Sequence, residues 1–326
     1  MTGKDETILL FGASGLLGRA VYRSLSSPSP SPDPSPSLSP SPSLAHSPSP
    51  APSPAPSRNV FAFAFSRATP PLLALDLCDS AAVEAVFTKY KPTAVINCVA
   101  ERRPDVCQTD PERARNLNIS VAANIAALAK NHGAHLISIS TDYVFDGSSP
   151  PYKPDDPTNP LNFYGTAKRD GELAILHANP AAAILRVPLL YGKTEYNAES
   201  AVNVLIDLVS DPLKPVLMDN MQQRYPTCVD DVARVIRDML AKRLSGIYHF
   251  SSNVVYTKYA LCEVLAGILH LDMAHISPVS QPVDALAKRP HDTKLDTDRL
   301  VKEGVDVSTG DFSAYFSELL LKGKDT

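Results

Sequence analysis

The sequence predicts an α/β protein: a doubly wound parallel sheet, followed by a smaller C-terminal α+β lobe. Three observations carry this prediction. Over the first 190 residues, short and continuous apolar runs alternate with helical segments, the pattern of strands covered on both faces. A glycine-spaced turn directly follows the first of these runs. From about Tyr191 onward the alternation loses its regularity.

Each element has a local reason. Thr7–Ala13 (TILLFGA) is a strand that ends in the glycine turn, and residues 16–25 carry helical apolar spacing. Asn59–Phe65 (NVFAFAF) and Leu72–Leu77 (LLALDL) read as strands. Ser80–Lys89 is a helix stopped ahead of Pro92, and Ala94–Ala100 (AVINCVA) is a buried strand. A long helix is predicted from Asp110-Pro111, a capping residue followed by proline in the first turn, to Gly133. His135–Thr141 (HLISIST) is the fifth strand, residues 161–177 form a helix after Pro160, and Ala182–Pro188 (AAILRVP) is the sixth strand. Helices are expected near 200–210, 230–243, 257–270 and 309–321, with a strand at Gly246–Ser252 (GIYHFSS). The expected division is 1–190 and 191–326, with about 229–252 returning to the first sheet.

Residues 26–57 interrupt this pattern. They are nearly all Ser and Pro, hold 12 of the chain's 30 prolines and contain no Lys or Arg. With almost nothing apolar to bury, the segment is expected to be a disordered insertion.

The net charge of −4 and the absence of a basic, aromatic-interleaved patch argue against a nucleic-acid partner. The apolar run near the N-terminus spans only Ile8–Phe11, and no later run approaches a membrane span, so a cytoplasmic protein without membrane association is expected. Five scattered cysteines without a Cys-x-x-Cys pair fit a reducing compartment. His residues are isolated and no ligand spacing appears, so no metal is expected.

The turn Gly12-Ala-Ser14-Gly15-Leu16-Leu17-Gly18 stands between the first strand and the first helix. Gly12 permits the tight turn, Gly15 lets the backbone approach a pyrophosphate, and Gly18 lets helix and strand pack closely. The helix N-terminus supplies amides and a positive dipole end. In this strand–turn–helix context the pattern predicts a Rossmann-type dinucleotide site. The second strand closes on Phe65-Ser66-Arg67, where an acidic residue would hold a free 2′-hydroxyl. A guanidinium suits a 2′-phosphate, so NADP(H) is favoured over NAD(H). Asp76 and Leu77, at the end of the third strand, are placed beside the adenine.

Tyr164-Gly-Thr-Ala-Lys168 puts a phenol and an ammonium one helical turn apart, after the strand ending in Thr141. An ammonium beside a phenol lowers its pKa. Thr141 can bind a carbonyl while Tyr164 exchanges a proton. Thr141, Tyr164 and Lys168 are therefore candidate catalytic residues, although Tyr164 and Lys168 could equally serve only to hold the ribose.

The glycine turn, Ser140-Thr141-Asp142-Tyr143-Val-Phe-Asp-Gly147 and the Tyr164/Lys168 pair resemble extended short-chain dehydrogenase/reductases of the dTDP-4-dehydrorhamnose reductase type. Cys98-Val-Ala-Glu101-Arg102-Arg103-Pro104-Asp105, Pro160-Leu-Asn-Phe-Tyr164-Gly, Gln222-Gln-Arg-Tyr-Pro226-Thr and Arg289-Pro290 are more specific. They resemble the regulatory beta subunits of methionine adenosyltransferase.

That resemblance implies an NADP(H)-bound, non-catalytic partner of a catalytic methionine adenosyltransferase subunit, promoting S-adenosylmethionine synthesis, with Thr141, Tyr164 and Lys168 vestigial. The alternative it leaves is an NADPH-dependent sugar-nucleotide reductase. It implies Ser14, Gly15, Leu16 and Leu17 at the phosphates, and Phe65, Ser66 and Arg67 at the adenosine phosphate. Asp76 and Leu77 would lie at the adenine, Cys98 and Arg102 along the cleft, and Tyr164, Lys168 and Leu190 around the nicotinamide ribose and ring. Asn118 matches an asparagine of the family's fourth helix. The segment after Leu319 is shorter and less aromatic than the tail that inserts into the catalytic subunit in the family, so weaker association than in a tail-inserted complex is expected.

Overall fold

The computed structural model describes residues 6–27, 58–281 and 286–321; most of the Ser/Pro segment lies outside them. Seven parallel strands form the central sheet: β1 (Glu6–Phe11), β2 (Arg58–Ala64), β3 (Leu73–Ala74), β4 (Ala94–Asn97), β5 (His135–Thr141), β6 (Ala183–Val187) and, far along the chain, a strand at Gly246–His249. Their spatial order is β3-β2-β1-β4-β5-β6 and then Gly246–His249. The order reverses direction at β1, so a crevice opens between the carboxyl ends of β1 and β4, where such sheets bind ligands.

β1 explains the continuous apolar runs. Ile8 and Leu10 enter one core cluster while Leu9 and Phe11 enter the other, as the two-residue period of a strand demands. Both faces are covered, so both phases must be apolar. One face is packed by α1 (Leu16–Ser26) and a helix at Val229–Lys242. The other is packed by α2 (Ser80–Tyr90) and a helix at Val121–Asn131.

Two predicted elements differ. The third strand shrinks to Leu73–Ala74, pairing only with β2 at the sheet edge. Beyond it Asp76 Oδ1 accepts the Cys78 amide at 2.9 Å, so the chain turns in toward the crevice. The long helix expected over 110–133 is composite. It runs as α4 (Pro111–Arg115), a π turn at Asn116–Ser120 and α5 (Val121–Asn131), preceded by a separate short helix α3 (Pro104–Thr109). Asp110 does cap α4, accepting the Arg113 amide at 3.1 Å. The π turn lies against α6 (Phe163–Ala178). There a Cβ at Gly171 would sit 2.1 Å from the Asn118 carbonyl oxygen, so only glycine permits the approach.

After β6 come β7 (Leu190–Tyr191), α7 (Val204–Ser210), β8 (Val216–Asp219), β9 (Thr227–Cys228), α8 (Val229–Lys242) and β10 (Gly246–His249). α9 (Lys258–Leu269), β11 (Ile276–Val279), α10 (Asp298–Lys302) and α11 (Phe312–Leu321) complete the chain. α8 returns to pack beside α1, and β10 pairs with β6. β7 and β9 pair in parallel, as do β8 and β11. A separate apolar cluster fills this part, centred on Tyr191, Leu205, Leu261, Phe312 and Phe316.

Candidate functional site

The crevice holds two adjoining cavities. The first, about 630 Å³, is lined by Gly12, Ser14, Gly15, Phe65, Ser66, Arg67, Asp76 and Leu77. The second, about 320 Å³, is lined by Leu16, Leu17, Gly18, Thr141, Tyr164, Lys168 and Leu190. Gly15, Cys98 and Arg102 line both. Every residue expected to bind the cofactor or take part in catalysis therefore lines one of these two adjoining cavities, although the residues span much of the chain.

The glycine turn has the shape a dinucleotide needs. Gly12 adopts φ +81°, with Cys98 backbone within 3.2 Å of where a Cβ would stand, so no other side chain fits there without strain. α1 begins after Gly15 with no side-chain cap and no acidic residue in its first turn. Its leading amides consequently face the crevice.

At the adenosine end Phe65 is 71% exposed, an aromatic face presented to the cavity rather than to the core. Arg67 is not a free cation. Its Nη2 donates to the Ser14 carbonyl at 2.8 Å, and its Nη1 donates to Glu195 at 2.8 Å and to Glu199. Arg19 donates to the same Ser14 carbonyl at 2.7 Å and to Glu199 at 2.5 Å. Glu199 is buried, and the two guanidinium groups hold its carboxyl at about 2 against the opposing cost of burial.

At the other end, Thr141 and Tyr164 line the same cavity. The Thr141 hydroxyl donates to Asp142 at 3.0 Å and accepts the Tyr143 amide at 3.2 Å. Burial pushes the Tyr164 phenol above the ordinary tyrosine range, and the same desolvation lowers Lys168 to about 8. Lys168 Nζ donates to the Ile139 carbonyl at 2.8 Å, which anchors one of the three ammonium hydrogens. Cys98 is raised to about 12 by burial, so its thiol stays protonated and packs as an apolar residue.

Sequence reasoning passed over the groups that hold these residues. Asn118, which the resemblance singled out without a function, receives the Glu101 amide at 3.0 Å and donates to the Glu101 carbonyl at 3.1 Å. Glu101 in turn takes Arg103 in a two-pronged pair at 2.9 Å, and Asp105 pairs with Arg289 at 2.6 Å. Glu172 lies one turn beyond Lys168. It accepts Ser140 Oγ at 2.5 Å and pairs with the buried Arg186 at 2.7 Å. A charged Arg186 inside the apolar run AAILRVP was the available signal, because a buried guanidinium needs a partner. Nothing in the sequence pointed to Glu199, which lies 132 residues from Arg67. Among the described residues no group of three or more His, Cys, Asp or Glu converges as a metal site. No helix among them is long and apolar enough to cross a membrane.

Fold and crevice together define a Rossmann-type protein of the extended short-chain dehydrogenase/reductase class. Residues 6–310 match the RmlD substrate binding domain family. Methionine adenosyltransferase 2 subunit beta of Xenopus tropicalis is 40% identical over 302 residues, covering 91% of this chain and 82% of the relative. A dTDP-4-dehydrorhamnose reductase from Clostridium acetobutylicum superposes with a TM-score of 0.78 at 25% identity, covering 98% of this chain and 99% of that one. A Bacillus anthracis dTDP-4-dehydrorhamnose reductase, solved in complex with NADP, shares the fold at 21% identity and TM-score 0.77, over 98% of this chain and all of that one. The chain belongs to the RmlD substrate binding domain family and, within it, to the family of the methionine adenosyltransferase 2 beta subunits.

Proposed function

We propose that the chain is an NADP(H)-binding, non-catalytic subunit that binds a cytoplasmic catalytic methionine adenosyltransferase and promotes S-adenosylmethionine synthesis. The carrying observation is 40% identity over 91% of the chain with a beta subunit, because so long a match takes in the crevice and the later lobe alike. Fold alone would not choose, since one architecture hosts many functions.

The residues present fit the dinucleotide. The open first turn of α1 and the Ser14–Leu17 backbone would hold the pyrophosphate. Phe65, Asp76 and Leu77 would border the adenine, Ser66 and Arg67 would take the 2′-phosphate, and Tyr164, Lys168 and Leu190 would border the nicotinamide half. A bound nicotinamide would supply hydride-transfer chemistry.

A second reading, NADPH-dependent reduction of a sugar nucleotide, draws on Thr141, Tyr164 and Lys168 sharing one cavity. The first reading is preferred because the 40% identity with a beta subunit extends over 91% of the chain. The experiment has two arms. Complex formation and adenosyltransferase kinetics are measured with and without this protein, and NADPH oxidation is followed with dTDP-4-dehydrorhamnose for wild type and Tyr164→Phe. Association with altered kinetics and slow or no oxidation is expected. Absence of association together with robust Tyr164-dependent oxidation rejects the proposal for the second reading.

A further inference from the structure

The segment between β7 and α7 reaches back over the adenosine end of the crevice. Glu195, Tyr196 and Glu199 all meet Arg67: two carboxylates on its Nη1, and the Tyr196 ring 5.9 Å from its guanidinium carbon. Arg19 lies 3.6 Å from Glu195 and is bonded to Glu199, so two cations and two anions form a balanced cluster. Within this cluster the charge of Arg67 is already compensated, so a 2′-phosphate arriving there must compete with a carboxylate.

The two carboxylates are not equally free to go. Glu199 is 4% exposed and keeps Arg19 when Arg67 is withdrawn; its Oε2 also accepts the Glu195 amide at 2.9 Å. The Glu195 side chain is 52% exposed, and its ion pairs are those with Arg67 and, at longer range, Arg19. Water can solvate it at once if it swings out. We infer that Glu195 is a displaceable internal competitor for the 2′-phosphate, setting how strongly the crevice prefers NADP(H) to NAD(H). The inference rests on the proposed binding of the 2′-phosphate by Arg67.

Competition has a definite signature. An exposed ion pair is worth about 0.2–1 kcal/mol, or up to about fivefold in affinity. Removing the carboxylate also removes its repulsion of the phosphate, which extends the expected gain to about tenfold at low salt. NAD(H), lacking the phosphate, should be indifferent.

The test titrates NADP⁺, NAD⁺, and the fragments 2′,5′-ADP and 5′-ADP into the full chain and its variants at low and at physiological ionic strength. Glu195→Gln should bind NADP⁺ and 2′,5′-ADP three- to tenfold tighter, with NAD⁺ and 5′-ADP unchanged and the gain reduced by salt. Glu195→Asp, which keeps the charge, should return toward wild type. Arg67→Ala separates the two levels of inference. Selective loss of NADP⁺ in Arg67→Ala, with no gain in Glu195→Gln, overturns the competitor role while leaving the Arg67 assignment standing. Equal loss of both nucleotides in Arg67→Ala removes the assignment itself, and the competitor role with it.

Discussion

Replacing Gly18 by alanine tests how the first helix is seated on the dinucleotide turn. A Cβ at this position would stand 2.1 Å from the Gly12 carbonyl oxygen, 2.8 Å from its carbon and 2.9 Å from Ala13 Cα. All three are backbone atoms, so no rotamer change relieves the contact. A carbon–oxygen approach of about 3.3 Å is the ordinary lower limit, so α1 must retreat by about 1 Å. Overpacking costs about 1–3 kcal/mol, and a backbone collision belongs at the upper end. Alanine recovers about 1 kcal/mol of helix propensity, leaving a net loss of about 2 kcal/mol. For a chain of this size that lowers Tm by about 3 °C. The retreating helix carries Leu17, Val21 and Leu25 in the core and presents its first turn to the crevice. Dinucleotide affinity should therefore fall at least about tenfold, equivalent to about 1.4 kcal/mol. Gly267→Ala in α9 is the control, since nothing lies within 4 Å of its added Cβ and stability should hold or rise. Thermal unfolding and calorimetric titration give both quantities. A Gly18→Ala protein matching wild type in both, or a control that falls as far, would refute the steric account.

Two further outcomes follow from the structure and the composition. Glu199 has a folded-state carboxyl near 2, below its unfolded value, so its ion pairs stabilise the fold above about pH 4.3 and lose this contribution as pH falls toward 2. Glu199→Gln should cost about 2 kcal/mol at pH 7, because the partner arginines are partly solvated. The gap should narrow by pH 3 in urea unfolding; a gap independent of pH would show that the carboxylate charge is not what matters. Deleting residues 28–56 and joining the ends with a short Gly/Ser link should change Tm by less than about 2 °C, since the segment offers a core almost no apolar surface. A much larger drop, or lost nucleotide binding, would mean that the segment packs.

The sequence by itself determined the sheet and the location of the crevice. Continuous apolar runs imply strands buried on both faces, and a glycine turn between the first strand and first helix marks where the chain must pass close to a ligand. These are local constraints, written in residues adjacent along the chain, and so are the Asp110 cap and the Tyr164/Lys168 spacing. What only the tertiary structure decided is where the charges go. Arg67 looked like a free phosphate ligand, yet the fold delivers Glu195 and Glu199 to it from beyond β7. Lys168 was marked only by its spacing from Tyr164, and the fold adds the Ile139 carbonyl, 29 residues away, as a partner for its ammonium. The long helix from Asp110 looked uninterrupted, yet contact with Gly171 accompanies a π turn that brings Asn118 to Glu101. Each depends on partners many residues apart whose approach is fixed by packing, and charge compensation in a poorly solvated site is set by that approach rather than by any one residue's type.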